Sequence, residues 1–291
     1  MQENEYRDNF VDAVRLSRLP GVGAHHFAEL IRLHGSPRAA LHAWSQVTPH
    51  DSLKAPLAGA VGGLERYFAE GGRGVYLGAE DYPALLDRIS EPPPYLFRRG
   101  PLWPLDSFSV AIIGAREAGE AALSFAHDLA NALASIGVTI VSGGALGVDA
   151  AAHEGSLSAG SRTVLVSATG IDRVYPASNQ DLFDRVAERG CILTELLPGT
   201  PPRKDFFPTR NRIVVGLARL LVVVEGRLQS GSASSYHHMR RLGRLVFAWT
   251  GASGAGAELP ALILSQGGLP LSAPDPLPIL HYLLRPVDSP A

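Results

Sequence analysis

From Ser109 onward, short apolar runs alternate with longer stretches in which apolar residues recur every three or four positions. Short apolar runs bounded by glycine read as buried strands, and the longer recurrence reads as amphipathic helix. The expected strands are Val110–Ile113, Val138–Ser142, Thr163–Ser167, Cys191–Leu196, Leu220–Glu225 and Leu245–Thr250. Helices are expected over residues 117–136, 148–159, 180–189, 211–219 and 233–242, with a last one near 258–266. Strands that are apolar throughout belong in a sheet covered on both faces. The pattern therefore implies an α/β fold: an extended, Rossmann-like, mostly parallel sheet with helices on both faces.

The chain before this core reads differently. Residues 1–70 carry helical periodicity, first through Phe10, Val11, Val14 and Leu16 and then through Phe27, Leu30, Ile31 and Leu33. A third stripe runs through Ala39, Leu41 and Trp44. The turn between the first two, LPGVGAHH, has glycines spaced by one residue and would expose backbone amides at a helix start. That is the requirement of a helix-hairpin-helix, which can grip phosphates through N–H groups or serve purely as a structural turn. Residues 71–105 read as a connector with a short strand, GVYLG, and an extended run, EPPPYLFRRG. The expected organisation is thus a small all-helical domain over 1–70, the connector over 71–105, the Rossmann-like domain over 106–268 and a proline-rich tail over 269–291.

Composition narrows the function. With 26 basic and 28 acidic residues the formal charge is −2, so any nucleic-acid contact must come from a local patch. The opening residues lack a signal-peptide core, and no apolar run is long enough to span a membrane, which makes a cytoplasmic location the expectation. A single cysteine, Cys191, excludes an internal disulfide and a thiolate zinc site.

One local patch stands out. Residues 198–212, PGTPPRKDFFPTRNR, hold four cations, two phenylalanines and four prolines with one aspartate. A stiff, basic, aromatic segment following a buried strand suits an anionic ligand with flat faces, as single-stranded nucleic acid is. Its alternative is a solvated loop whose phenylalanines pack inward. In an open α/β sheet, ligands bind beyond the carboxyl ends of the strands. Here those ends are GARE, SGGALG, ATGIDR, the basic segment, EGRLQSGS and TGASG, most of them glycine-bearing.

Other chemistries fit less well. Gly114 and Gly119 have the outer spacing of GxGxxG, but Arg116 stands at the middle position and no acidic residue ends the second strand. GxxxxGK[ST] and GxSxG are both missing. Asp149 and His153 share one helix face, which suits a helix-start acid with a satisfied histidine. His25 and His26 lie in the hairpin, and the adjacent His237 and His238 point apart, so no metal site is expected. Glu195 and Glu225 are the most plausible general bases, without a partner at a diagnostic spacing.

These motifs carry a likeness. LPGVG with HGSPRAAL, YPALL with PPPYLFRRG, VAIIGAR, TIVSGGALGVDAAAH, YPASN, PGTPPRKDFFPTRNRIVVGL and VVVEGRLQSGS together resemble the bacterial DNA-processing protein A (DprA/Smf) family over roughly residues 8–268. The resemblance implies a single-stranded-DNA-binding protein that protects incoming DNA and helps load the RecA recombinase in natural transformation. It also implies a cytoplasmic homodimer; the residues themselves offer no catalytic set, and no cofactor or metal is expected. Carried onto this sequence, the DNA-binding residues are Gly114, Ala115, Arg116, Ser142, Gly143, Lys204, Phe207, Arg210, Asn211 and Arg212. Of these, Arg116, Lys204 and Arg210 are expected to meet phosphates and Phe207 to stack on a base, while Arg212, at the start of the following helix, is expected to support the loop instead. Leu262, Ile263 and Leu264 are the candidate dimer surface.

The sequence also departs from the family pattern. SGGALGVD stands where members usually read SGLARGID, so Leu146 replaces an arginine. Ala115 replaces a hydroxyl residue, ASSYHHM follows SGS in place of LITA, and the form expected is the one without the winged-helix domain of many members. Two alternatives share the core. A phosphoribohydrolase of the lysine-decarboxylase-like type would carry PGGxGTxxE, where this chain reads RLQSGSASSYHH. A nucleotide-sensing module would use the same strand-end rim for a small ligand.

Overall fold

The computed structural model describes residues 3–47 and 58–285; parts of the expected helical domain and of the expected tail lie outside them. Helices α1 (Glu3–Ser17), α2 (Ala24–His34), α3 (Pro37–Val47) and α4 (Ala58–Ala69) precede the sheet. Phe10, Val14, Leu16, Phe27, Leu30 and Ile31 are buried, as the stripes imply, whereas Leu33 is 76% exposed and belongs to the outer face. Phe10 packs edge-on against Phe68, Tyr95 and Phe97, so the helices share a core with the first strands.

One nine-stranded sheet organises the rest, in the order β1-β2-β6-β5-β4-β3-β7-β8-β9. Its first two strands are β1 (Arg73–Tyr76) and β2 (Tyr95–Arg99), which pair antiparallel with each other; β2 then pairs antiparallel with β6 (Cys191–Thr194). The segment expected as a connector therefore widens the sheet. YLFRR follows three prolines, which hide its strand character, but Tyr95, Leu96 and Phe97 are all buried. A short helix, α5 (Ala84–Asp87), lies between these strands.

The remaining strands run parallel: β3 (Ser109–Ile113), β4 (Thr139–Ser142), β5 (Thr163–Val166), β6, β7 (Leu220–Val223), β8 (Val246–Trp249) and β9 (Leu269–Leu271). Alternation along β3 separates two cores. Val110 and Ile112 pack with α6 (Glu120–Ser135) and α7 (Val148–Ser158), while Ala111 and Ile113 pack with α9 (Phe206–Gly216), α10 (Gly231–Arg241) and α11 (Glu258–Ser265). Between β5 and β6 runs α8 (Gln180–Arg189). Strand β9 and α12 (Leu277–Leu283) extend the core past residue 268, with Leu271, Ile279 and Leu283 buried against it.

Two boundaries matter for function. Helix α6 begins at Glu120 behind the N-cap Gly119, so residues 114–119 remain an open strand-end loop. Helix α9 begins at Phe206, five residues before the expected start. Pro208 sits within its first turn, where backbone N–H groups have no intrahelical acceptor, so the missing donor costs little there. The back half of the basic segment is therefore helix, which fixes where each of its side chains points.

Candidate nucleic-acid interface

Strands before β3 in the sheet order lead away on one side and those after it on the other, so loops leaving β3 and β7 diverge. That divergence opens a crevice at the carboxyl edge of an α/β sheet. A cleft of about 480 Å³ occupies this place. Its walls include Gly114, Ala115, Arg116 and Glu117 from the β3 loop, Gly143, Ala145 and Asp149 from the β4 loop, and Phe207, Arg210, Asn211 and Val214 from α9. Gly226, Arg227, Ser230, Gly231, Ser232 and Ser235 close the other side. Ser230 caps α10, its Oγ accepting from the Ala233 amide at 3.3 Å. The partial positive charge of that helix start faces the cleft, together with the exposed guanidinium of Arg116.

Backbone ties hold the β3 loop open. Ser232 Oγ donates to the Gly114 carbonyl at 2.9 Å, and the Val148 amide donates to the Ala115 carbonyl at 3.1 Å. Gly147 adopts φ +76°, and a Cβ on it would collide with the Ala115 and Arg116 carbonyls. The β4 loop can therefore lie directly beneath the β3 loop only with glycine at this position.

Arg116 and Phe207 meet across the cleft, the guanidinium carbon lying 5.0 Å from the ring centroid. Tyr175 lies on the far side, its ring centroid 5.8 Å from that of Phe207 at an interplanar angle of 58°. Beside these three groups is a recess of about 60 Å³, also lined by Leu146, Ala168, Thr169 and Pro176. Leu146 is 46% and Tyr175 43% exposed, so apolar and aromatic surface is presented next to a cation. Flat faces beside a fixed positive charge suit stacked bases with a phosphate alongside.

The other expected residues divide by placement. Arg210 lines the cleft but is only 8% exposed. Its Nη1 donates to the Gly143 and Val166 carbonyls, and its Nε donates to Asn211 Oδ1 at 3.2 Å. It forms the bottom of the site instead of reaching outward. Burial brings its pKa down to about 10, opposed by Asp149 and assisted by Arg116, so it stays protonated at neutral pH. Asp149, buried beside it, has its carboxyl pKa raised by desolvation, with Arg210 acting in the opposite direction. Asn211 Nδ2 donates to the Gly231 carbonyl at 2.9 Å and so joins α9 to the start of α10.

Ser142 lies wholly buried and donates to the Ile112 carbonyl at 2.6 Å; its hydroxyl supports the sheet and does not face the cleft. Arg212 turns away, its Nη2 donating to both carboxylate oxygens of Glu195 at 2.8 Å. Lys204 is exposed on the turn leading into α9, its carbonyl accepting from the Phe207 amide at 3.4 Å. Leu262 and Leu264 are half-buried, while Ile263 is 1% exposed and packs inward.

The candidate general bases do not converge. Glu195 is bound by Arg212, and Glu225 is 9% exposed against Gly256. His153 is fully buried, with Nδ1 2.7 Å from Thr163 Oγ1, and desolvation drops its pKa to about 3. Cys191 is buried and its thiol is pushed up to about 12 by desolvation. Among the described residues no group of three or more histidine, cysteine or acidic side chains is placed to hold a metal ion, and no helix is long and apolar enough to cross a membrane. Sequence reasoning alone does not single out Tyr175, Leu146, Arg227, Ser230 or Ser232 as site residues. The YPASN and EGRLQSGS strings hold the only signal for most of them.

Comparison with known proteins gives concordant matches. Residues 73–261 match the family model of DNA recombination-mediator protein A, and residues 7–53 match that of the DprA-like N-terminal HHH domain. The chain is 39% identical over 171 residues to Protein Smf of Synechocystis sp., covering 57% of this chain and 43% of that protein. It is 33% identical over 274 residues to a putative DNA processing protein DprA of Mycobacterium tuberculosis, covering 88% of this chain and 70% of that protein. The chain thus spans less than half the length of the first relative and about 70% of the second. Among solved structures, DNA processing protein A of Streptococcus pneumoniae superposes with a TM-score of 0.69 at 26% identity, covering 92% of this chain and 90% of that one. That of Helicobacter pylori, described in its single-stranded DNA binding mode, gives 0.65 at 30% identity, covering 73% and 96%.

Proposed function

The chain belongs to the DNA recombination-mediator protein A family, and from that premise we propose that the strand-end cleft binds single-stranded DNA without catalysing a reaction on it. The observation that carries this reading is the Arg116–Phe207 pair, a guanidinium and an aromatic ring held 5.0 Å apart in the open cleft. The cation would face a phosphate while the aromatic wall made with Tyr175 receives a base. Lys204, exposed one turn before Phe207, would extend the phosphate track. Duplex bases are stacked inside the helix and cannot reach these rings, so the cleft would select unpaired strands.

In the cell we place this activity in the cytoplasm during natural transformation, where the protein would protect the incoming strand and help load the RecA recombinase. A homodimer would present two such clefts. Because Ile263 is turned inward, a dimer surface on α11 would be built from Leu262 and Leu264. The decisive experiment is a polarisation titration with labelled single-stranded and duplex oligonucleotides of mixed sequence at two salt concentrations. The reading requires preference for the single strand and weakening with salt. Equal affinity for duplex would defeat it, and tight binding of a mononucleotide without oligonucleotide binding would transfer the cleft to nucleotide sensing.

A further inference from the structure

A second cleft of about 400 Å³ shares no lining residue with the first. Arg88, Ile89, Ser90 and Glu91 form one wall, Arg212 and Val215 of α9 a second, and His238, Arg241 and Leu242 of α10 a third. Three guanidinium groups and an imidazole thus surround one glutamate. Arg241 lies near the C-terminal end of α10, where a cation offsets the helix dipole, and that role is enough to account for it. It does not account for Arg212, which arrives from α9.

Two further observations point to a ligand. Arg212 spends its Nη2 on Glu195, but its Nη1 is buried without a hydrogen-bond partner. A buried, unpartnered donor of a charged group is costly and points to a partner the protein alone does not supply. His238 is held below the ordinary histidine value by burial first, then by Arg241 and Arg212, with Glu91 opposing and His237 adding slightly. Arg244, nearby in sequence, is likewise lowered, to about 10, by burial and then by Arg88 and Arg219. In both groups burial acts first and the neighbouring cations add to it, so a further negative charge there would be favourable to the protonated forms.

We propose that this second cleft is a binding site for a multiply charged phosphoryl anion, contacted by Arg88, Arg241 and His238, with Arg212 forming its charged wall. Two sources share that chemistry. One is the backbone of a strand that continues beyond the first cleft, an arm that rests on the function proposed above. Along α10 the nine steps from Ser232 to Arg241 rise about 13.5 Å, a separation a short stretch of extended strand can bridge. The other is a free nucleotide or polyphosphate. An anion in the cleft would raise the His238 pKa from its lowered value, so the contribution of His238 to binding should grow as pH falls below the ordinary histidine value toward that lowered one.

The test uses the full chain and tripolyphosphate at low salt, read by thermal shift and by the NMR signal of the His238 ring. Wild type and Arg116→Ala should respond alike, and the Arg88→Ala/Arg241→Ala double variant should bind about tenfold more weakly or worse. Arg241→Lys, which keeps the charge, should retain most of the response and guards against a folding defect. Oligonucleotides of about 6 and about 20 nucleotides then separate the sources. A His238 response to the longer strand alone assigns the site to DNA, and a response to tripolyphosphate but neither strand assigns it to a small ligand. No response to any of these probes in wild type, or an undiminished one in the double variant, overturns the proposal. A tripolyphosphate response that survives while single-strand binding fails would sink only the function proposed for the first cleft.

Discussion

The guanidinium of Arg116 sits over the ring of Phe207, although 91 positions separate them and they follow different strands, β3 and β6. The pair holds both partners in place before any ligand arrives, so little side-chain freedom remains to be lost on binding. Replacing Phe207 by alanine should cost about 1–3 kcal/mol of single-strand affinity, the range for loss of one stacked base. Arg116→Ala should both weaken binding and reduce the salt dependence. A double-mutant cycle in fluorescence polarisation should show coupling of about 0.5–1 kcal/mol between the two positions. Strictly additive losses would mean that the pair acts as two separate contacts.

Lys204 and Arg210 carry the same charge six positions apart but stand in opposite surroundings. Lys204 is exposed, while Arg210 is 8% exposed and hydrogen-bonded to two carbonyls. Lys204→Ala should weaken binding evenly across sequences and lower the salt slope by about 0.7, one single-strand phosphate contact, with no change in melting temperature. Arg210→Met should act on the fold instead, because it leaves the Asp149 carboxyl buried without its cation; a loss of about 3 kcal/mol or more is expected in urea unfolding. Reversal of the two phenotypes would show that exposure does not decide which of the two cations contacts DNA.

Tyr175 offers a third measurement. Its ring is 43% exposed beside Phe207 and lines the same recess as Leu146. If the recess takes a base, Tyr175→Ala should weaken binding of an ordinary oligonucleotide by about 1–3 kcal/mol and leave binding of an abasic one nearly unchanged. Equal losses for the two ligands would reduce Tyr175 to a packing residue.

The parallel sheet is legible in the sequence because its strands are apolar on both faces, a pattern that short strands show only when helices cover them on either side. Strand β2 is not, because three prolines precede it and its last two residues are arginines. Prolines also conceal the start of α9, since a first-turn proline is compatible with helix and with loop alike. Within the site, Arg116 and Phe207 stand out by residue type. The different fates of Arg210 and Arg212 cannot be read from the chain, because each depends on a carbonyl or carboxylate brought by another strand or loop. Tyr175 escapes notice because only the fold brings it to Phe207.

Acid sensitivity should trace in part to His153. Its imidazole is buried neutral, with the pKa lowered to about 3 by burial and then by Arg210, against an ordinary value of 6.5. The unfolded chain binds a proton between those values and the native chain does not. Stability from this group is therefore fully present above pH 6.5 and is lost as pH falls toward about 3, at about 1.4 kcal/mol per pH unit within the window. His153→Gln stays neutral at every pH and should flatten the dependence by close to one proton in urea unfolding between pH 4 and 6.5. An unchanged slope would assign the sensitivity to other groups.

Gly143 provides the sharpest link between a backbone position and the site. A Cβ there would overlap the guanidinium of Arg210, which donates to the Gly143 carbonyl itself. Arg210 cannot retreat easily, since it is also held by Val166 and Asn211. Gly143→Ala should therefore cost about 1–3 kcal/mol of stability, as overpacking does in a filled interior. It should also weaken single-strand binding, because Gly143, Arg210 and Phe207 line the same cleft and recess. Gly119→Ala is the control: a Cβ at Gly119 meets nothing within 4 Å, and its backbone lies in the ordinary extended region at φ −69°. Circular dichroism melting and polarisation titration of the two variants in parallel would check this. Similar behaviour of the two proteins would show that the loop yields around Arg210 and that the close packing beneath the cleft is not required for binding.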